Sequence, residues 1–231
     1  MTKRKTSRRK ASANAGEPGL SLTDRAYSHL EEMIVTLKLP PGSAVSETAL
    51  SQRLGIGRTP IREALHRLAR ERLVTILPRR GIIVSEINIK SQLRLLEVRR
   101  EVERLVAKSA ARRATPEERK RFLELARRFE RSAKSNDDVS FMRVDREFNE
   151  FSVMAARNEF AAGAMSLMHS LSRRFWYIHY KQAADMPLTA KLHADIARSI
   201  GAGNEAAAGK AMDKLIDTVA KFTRDALVAD I

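Results

Sequence analysis

Apolar positions recur at helical spacing over most of this chain. Leu22, Ala26, Leu30, Ile34 and Leu37 open the pattern behind Ser21 and Asp24, whose spacing resembles a capping box. Pro40, Pro41 and Gly42 are expected to stop that helix. A second helix is predicted after Ser46, with Ala49, Leu50 and Leu54 inward and Gly55 ending it. A third is predicted to open at Thr59 as its N-cap, followed by Pro60. Ile61, Leu65 and Leu68 then face a core, which leaves Arg58, Arg62 and His66 on an outer stripe. From Leu73 the pattern turns loosely alternating and β-branched. It bends at Pro78, Arg79, Arg80 and Gly81 and returns through Ile82, Ile83 and Val84. Helix, turn, helix and two-stranded wing in this order define a winged helix-turn-helix over 21–85.

After a connector at 86–90 only helical patterns remain, at about 89–113, 115–134, 138–156, 159–182, 189–201 and 204–229. Thr115-Pro116-Glu117-Glu118 is a strong helix start, and Gly201 to Asn204 separates the last pair. The last stripe is Ala208, Met212, Leu215, Val219, Phe222 and Ala226. The fold class is therefore mostly α: a winged helix with a small β wing, then an all-helical bundle over 89–231.

Charge sharpens the picture. The 231 residues carry a formal net charge of +15. Residues 1–85 hold 16 Lys/Arg against 7 Asp/Glu, so the front of the chain carries most of the excess. A polyanionic partner follows. Residues 1–20 have almost no apolar side chain and read as a disordered basic arm. Lys3, Arg4, Lys5, Arg8, Arg9 and Lys10 there suit phosphates, although a solvated tail has the same composition. That segment lacks the apolar stretch of a secretory signal, and no run approaches the roughly 20 apolar residues of a membrane span. With no cysteine, thiolate metal sites, disulfides and cysteine nucleophiles are excluded, and a cytoplasmic setting is expected.

The outer stripe of the third helix supplies the candidate chemistry. Gly57 and Thr59 are small enough to let the helix start approach a duplex. Arg58 and Arg62, one turn apart, can fork onto guanine edges or phosphates. Thr59 can meet a phosphate at the helix N-terminus. Arg79 and Arg80 tip the wing, with Gly81 allowing its turn.

Residues 22–84 closely resemble the N-terminal domain of the GntR family of bacterial transcription regulators. PPGSAVSE, LSQRLGIGRTPIREALHRLARERLV and the RRG turn carry the likeness. The resemblance implies DNA contacts at Arg58, Thr59, Arg62, Arg80 and Gly81, with Thr48 at a position where relatives often place a contact residue. Gly57 departs from the usual serine. The remainder resembles the FCD effector domain of the FadR subfamily, its six helices matching the shorter VanR-like branch. VRREVER (98–104), DREFNEFSVMAARN (145–158) and LHADIARSIGAGNEAAAGKAM (192–212) carry this second likeness. Such domains dimerise and bind small metabolites, commonly carboxylates, and many hold a metal through one aspartate and three histidines. Here Asp145 and His193 keep two of those positions, while Asn149 and Leu215 replace two histidines. The metal set is thus degenerate, and no cofactor is expected. His193 can instead hydrogen-bond Asp145 or a ligand, or serve as a buried structural histidine.

Effector contacts are expected from Arg99, which opens an Arg-x-x-x-Glu pattern ending at Glu103, and from Asn149, Asp145 and His193. A surface pairing of Arg99 with Glu103 is the alternative. Trp176 and Tyr180, one turn apart beside His169 and Ser172, either line a pocket or form core or dimer contacts. The resulting expectation is a non-enzymatic, cytoplasmic homodimer that reads a palindromic operator under control of a small metabolite. An architectural or non-specific DNA-binding protein without an effector is the alternative.

Overall fold

A computed structural model describes residues 20–79, 81–135, 137–183 and 185–229. The basic arm (1–19), Arg80, and the side chain of Tyr180 lie outside what it describes. The front of the chain runs α1 (Leu22–Val35), β1 (Ala44–Val45), α2 (Glu47–Leu54), α3 (Arg58–Arg70), β2 (Val74–Leu77) and β3 (Gly81–Val84). Six helices follow: α4 (Ile89–Arg113), α5 (Pro116–Ser135), α6 (Asp138–Ala156), α7 (Glu159–Ala183), α8 (Met186–Gly201) and α9 (Glu205–Ala229).

Local chemistry sets the helix starts. The Ser21, Ser46 and Asn88 side chains accept from the backbone N–H three residues on, which caps α1, α2 and α4. At α5 the Thr115 hydroxyl accepts from Glu118 N–H while the Glu118 carboxylate accepts from Thr115 N–H, a reciprocal box. Three boundaries differ from the sequence pattern. Helix α1 ends at Val35, because Leu37 adopts a left-handed φ of 60° ahead of the two prolines. Helix α8 begins at Met186 rather than 189, because Asp185 caps it and Pro187 sits in its first turn. Helix α3 is capped by Gly57, without a side-chain bond. Thr59 is therefore its second residue rather than its N-cap, and Pro60 is tolerated where helix N–H groups lack partners.

The wing has one strand more than the pattern implied. β3 pairs antiparallel with β2, Val74 facing Val84, and also with the short β1, Ala44 facing Ile83. The order is β1-β3-β2. Two residues are too few to give β1 a readable period.

One core joins Ala26, Leu30 and Ile34 of α1 to Ile61, Leu65 and Leu68 of α3, with Leu73 and Val84 from the wing. A second joins α4 through α9 around Phe122, Phe129, Phe148, Ile196 and Ile200. Helix α7 meets both. Leu171 packs on the first core. Arg173 bonds Glu31 and Glu32 of α1, and Arg174 donates to the carbonyls of Ser85 and Glu86 in the connector. Arg174 is 2% exposed, and burial lowers the pKa of its guanidinium to about 10.

Candidate nucleic-acid interface and bundle cavity

The leading end of α3 is open to solvent. Arg58 and Arg62 lie on one outer face, with side chains 62% and 57% exposed. Both point at one carboxylate. Arg62 Nε and Nη2 donate to the two oxygens of Glu47 at 2.9 Å each, and Arg58 Nη2 lies 3.8 Å from it. Glu47 is the first residue of α2. The hydrogen bond from Arg62 holds its carboxyl below the ordinary range against a small burial cost, with Arg58 adding to the effect. The pair fixes the direction of the Arg62 fork before any partner arrives. Exposed ion pairs of this kind contribute little to stability, so the arginine can exchange Glu47 for another anion. Glu47 was not singled out from the sequence. Its only signal was its place at the start of a helix that crosses α3.

Thr59 and Thr48 are exposed. Arg79, also exposed, has φ 61°, and Gly81 has φ 100° with open space where a side chain would go. Any L side chain at Gly81 would strain the wing turn. Arg80 is outside the described residues.

Inside the bundle lies a cavity of about 70 Å³. Arg99, Asp145, Asn149, Trp176 and His193, named from the sequence, all line it. Arg99 donates to Glu103, which also lines the cavity, so their pair is internal rather than on the surface. His193 Nδ1 lies 2.8 Å from the Thr189 carbonyl and Nε2 lies 3.1 Å from Asp145. The Asn149 amide donates to the same carboxylate oxygen at 3.1 Å. Burial opposes charge on Asp145. The His193 hydrogen bond and the electrostatic influence of His193, His169 and Arg173 outweigh it and hold the carboxyl below its ordinary 3.8. Trp176 packs on Phe141 and Phe222, which also wall the cavity, so it is both lining and core. Sequence reasoning missed Arg173 and Gln92 as wall residues. Their helical periods marked them only as polar.

The donors do not suit the metal that the resemblance implied. Leu215 is 4% exposed within the apolar core, and Asn149 directs its N–H₂ at Asp145. Among the described residues no three His, Cys, Asp or Glu side chains converge. Two ligands are too few for a stable site.

An exposed, arginine-bearing helix start beside a wing, joined to a cavity-bearing helical bundle, defines a winged-helix DNA-binding protein with a ligand domain. Comparison with known proteins makes this specific. Residues 22–84 match the bacterial regulatory proteins of the gntR family and residues 94–218 match the FCD domain. The chain belongs to the GntR family and carries an FCD domain: it is a transcriptional regulator, not an enzyme. It is 26% identical over 210 residues to the HTH-type transcriptional repressor RspR of Escherichia coli K12, covering 90% of this chain and 91% of that one. It is 45% identical over 62 residues to an HTH-type regulator in an unstable DNA locus of Streptomyces ambofaciens. That match spans 26% of the relative, and one to a regulator of Agrobacterium vitis spans 37%. The solved structure of E. coli McbR/YncC superposes with a TM-score of 0.77 at 17% identity, over 90% of this chain and all of that one. Among the described residues no helix is long and apolar enough to cross a membrane.

Proposed function

We propose that this regulator is a cytoplasmic, ligand-responsive repressor. As a homodimer it reads a palindromic operator through Arg58, Thr59, Arg62 and the wing residues Arg80 and Gly81, with Thr48 at the flank. Residues 21–85 carry that reading, and 89–231 carry dimerisation and effector binding. The effector is a small carboxylate held by Arg99, Asn149 and His193, with Asp145 orienting the histidine and Trp176 as an apolar wall.

The observation that carries this reading is the arginine fork at the open start of α3, backed by a cavity in a separate core whose wall carries Arg99, Arg173 and His193. A guanidinium presents paired donors matched to a carboxylate or a guanine edge. Apolar side chains left exposed on the bundle support the homodimer. Phe160 is 82% exposed on α7, with Leu167 on the same helix and Met154 nearby in sequence on α6. The name of RspR supports repression as the sign.

The test is selection of bound DNA from a random pool, followed by titration of the selected sequence with and without carboxylic acids. A palindrome released by one acid is the expected outcome. Recovery of no common sequence, together with affinity that collapses uniformly with salt, would instead indicate an architectural DNA-binding protein.

A further inference from the structure

Arg173 belongs to two places at once. It lines the bundle cavity together with Arg99, Asp145 and His193. Its guanidinium nevertheless donates to carboxylates of α1, to Glu31 at 2.7 Å and Glu32 at 3.4 Å. Little water reaches the first pair: the Arg173 side chain is 16% exposed and that of Glu31 is 5%. Arg99 and His193 are paired within the cavity, to Glu103 and Asp145. Among the described residues, Arg173 is thus the cation of this wall whose partners lie beside the DNA-reading core.

The size of the cavity adds a second constraint. At about 70 Å³ the cavity is small. Metabolite sites run to about 300 Å³ or more. An effector must therefore displace a wall. The α7 wall carries Arg173 and, one residue on, Arg174, which grips the connector carbonyls of Ser85 and Glu86. Displacing it pulls on both attachments of the DNA-binding unit.

We propose that an organic anion entering the cavity takes the Arg173 guanidinium from Glu31 and Glu32, and that this exchange carries the effector signal to the DNA-binding domain. The inference rests on the reading above that the cavity takes a carboxylate. At Arg173 an incoming carboxylate can accept from both Nη atoms at once, in place of the separate bonds to Glu31 and Glu32. It is not neutral for α1. Glu31 loses the partner that balanced its desolvated charge and is rehydrated only if α1 shifts from α7. The coupling is reciprocal: whatever docks α1 on Arg173 opposes the anion, and the anion opposes docking.

The test uses the full-length protein and short aliphatic acids from acetate to hexanoate with their hydroxy and keto forms. The strongest binder in a thermal-shift screen is then titrated calorimetrically. The Glu31→Gln/Glu32→Gln variant is expected to bind it about 10-fold more tightly, since Arg173 no longer has a competitor. Arg173→Lys, which keeps the charge but loses the fork, is expected to bind about 10-fold more weakly. Amide hydrogen exchange in residues 22–35 is expected to speed up when the acid binds to wild type. In the double variant it is expected to be fast already and unresponsive. Arg99→Gln reports on the cavity itself. If no acid binds, or Arg99→Gln binds as wild type does, the cavity reading falls and the exchange with it. If Arg99→Gln loses binding while the double variant keeps wild-type affinity and α1 does not respond, the exchange alone is overturned.

Discussion

The two ends of this molecule solve recognition in opposite ways. The candidate DNA face is local, since Arg58, Thr59, Arg62 and Gly81 come from one short stretch and are exposed, with Glu47 half-buried beside the two arginines. The cavity is assembled from α4, α6, α7, α8 and α9 and is walled by buried and half-buried side chains. Charges on the first cost little and are free to exchange partners. Charges in the second are tolerable only in pairs, so every cation there arrives with a carboxylate. The difference teaches where each site can be altered. The exposed side chains of the outer face are expected to take substitution without loss of fold, Gly81 excepted, and the inner ones are not.

The largest expected effect sharpens that contrast. Phe148 is 1% exposed, wedged edge-on against Phe122 and Phe129, and also walls the cavity. Phe148→Ala should cost about 3–5 kcal/mol of stability by denaturant titration. Arg62→Ala should leave the same curve within about 0.5 kcal/mol. Equal losses in the two variants would erase the distinction.

On DNA the order reverses. Arg62→Ala should weaken operator binding by about 1–3 kcal/mol, roughly 10- to 100-fold, whereas Phe148→Ala, where folded, should bind nearly as wild type. A loss confined to particular operator positions marks base readout. A uniform loss with a shallower salt dependence marks a phosphate contact.

The same contrast explains what the amino-acid order revealed. An α-helix converts spacing directly into a face, so Arg58 and Arg62 outward and Ile61, Leu65 and Leu68 inward were readable without coordinates. The six bundle helices were legible for the same reason. Strand β1 was not, because two residues have no period. Nor was the double role of Arg173, because its period says only that it is polar, and its partners are set by how α7 crosses α1. Glu47 was hidden likewise: the crossing of α2 over α3, not any spacing, places it under two arginines. For Arg99 and Glu103 the pairing was readable but its burial was not, since i and i+4 residues meet on any face.

A smaller effect separates capping from contact within the DNA-reading unit. Ser46 accepts from Ala49 N–H at 3.1 Å, whereas α3 has no side-chain cap. Ser46→Ala should therefore lower stability by about 1 kcal/mol. Thr59→Ala should change stability little and show its effect in DNA affinity. A stability loss at Thr59 as large as that at Ser46 would mean that its hydroxyl supports the helix start after all.

The finest comparison is in pH, where each region holds a buried titratable group of opposite sign. Glu71, 3% exposed at the end of α3, is raised above 4.5 by burial. Hydrogen bonds from Tyr27 and Arg67 oppose that rise, and Glu31 adds to it. The folded state then holds a proton that the unfolded chain has lost, so the contribution of Glu71 is full below pH 4.5 and fades as pH rises through its folded value. His169 on α7 is pushed below 6.5 by burial, with Arg99 and Arg173 assisting and Glu103 and Asp145 opposing. Its Nε2 is sealed from solvent and has no partner among the described residues. Below pH 6.5 the unfolded chain takes a proton that the folded chain refuses. The contribution of His169 is therefore full above 6.5 and is lost as pH falls through its folded value. Melting temperature followed downward from neutral pH should fall less steeply in His169→Asn than in wild type. In Glu71→Gln the part that fades above pH 4.5 should disappear instead. If His169→Asn keeps the wild-type slope below 6.5, the pH sensitivity of the bundle has another source, and the wall around Arg173 is less dry than its geometry implies.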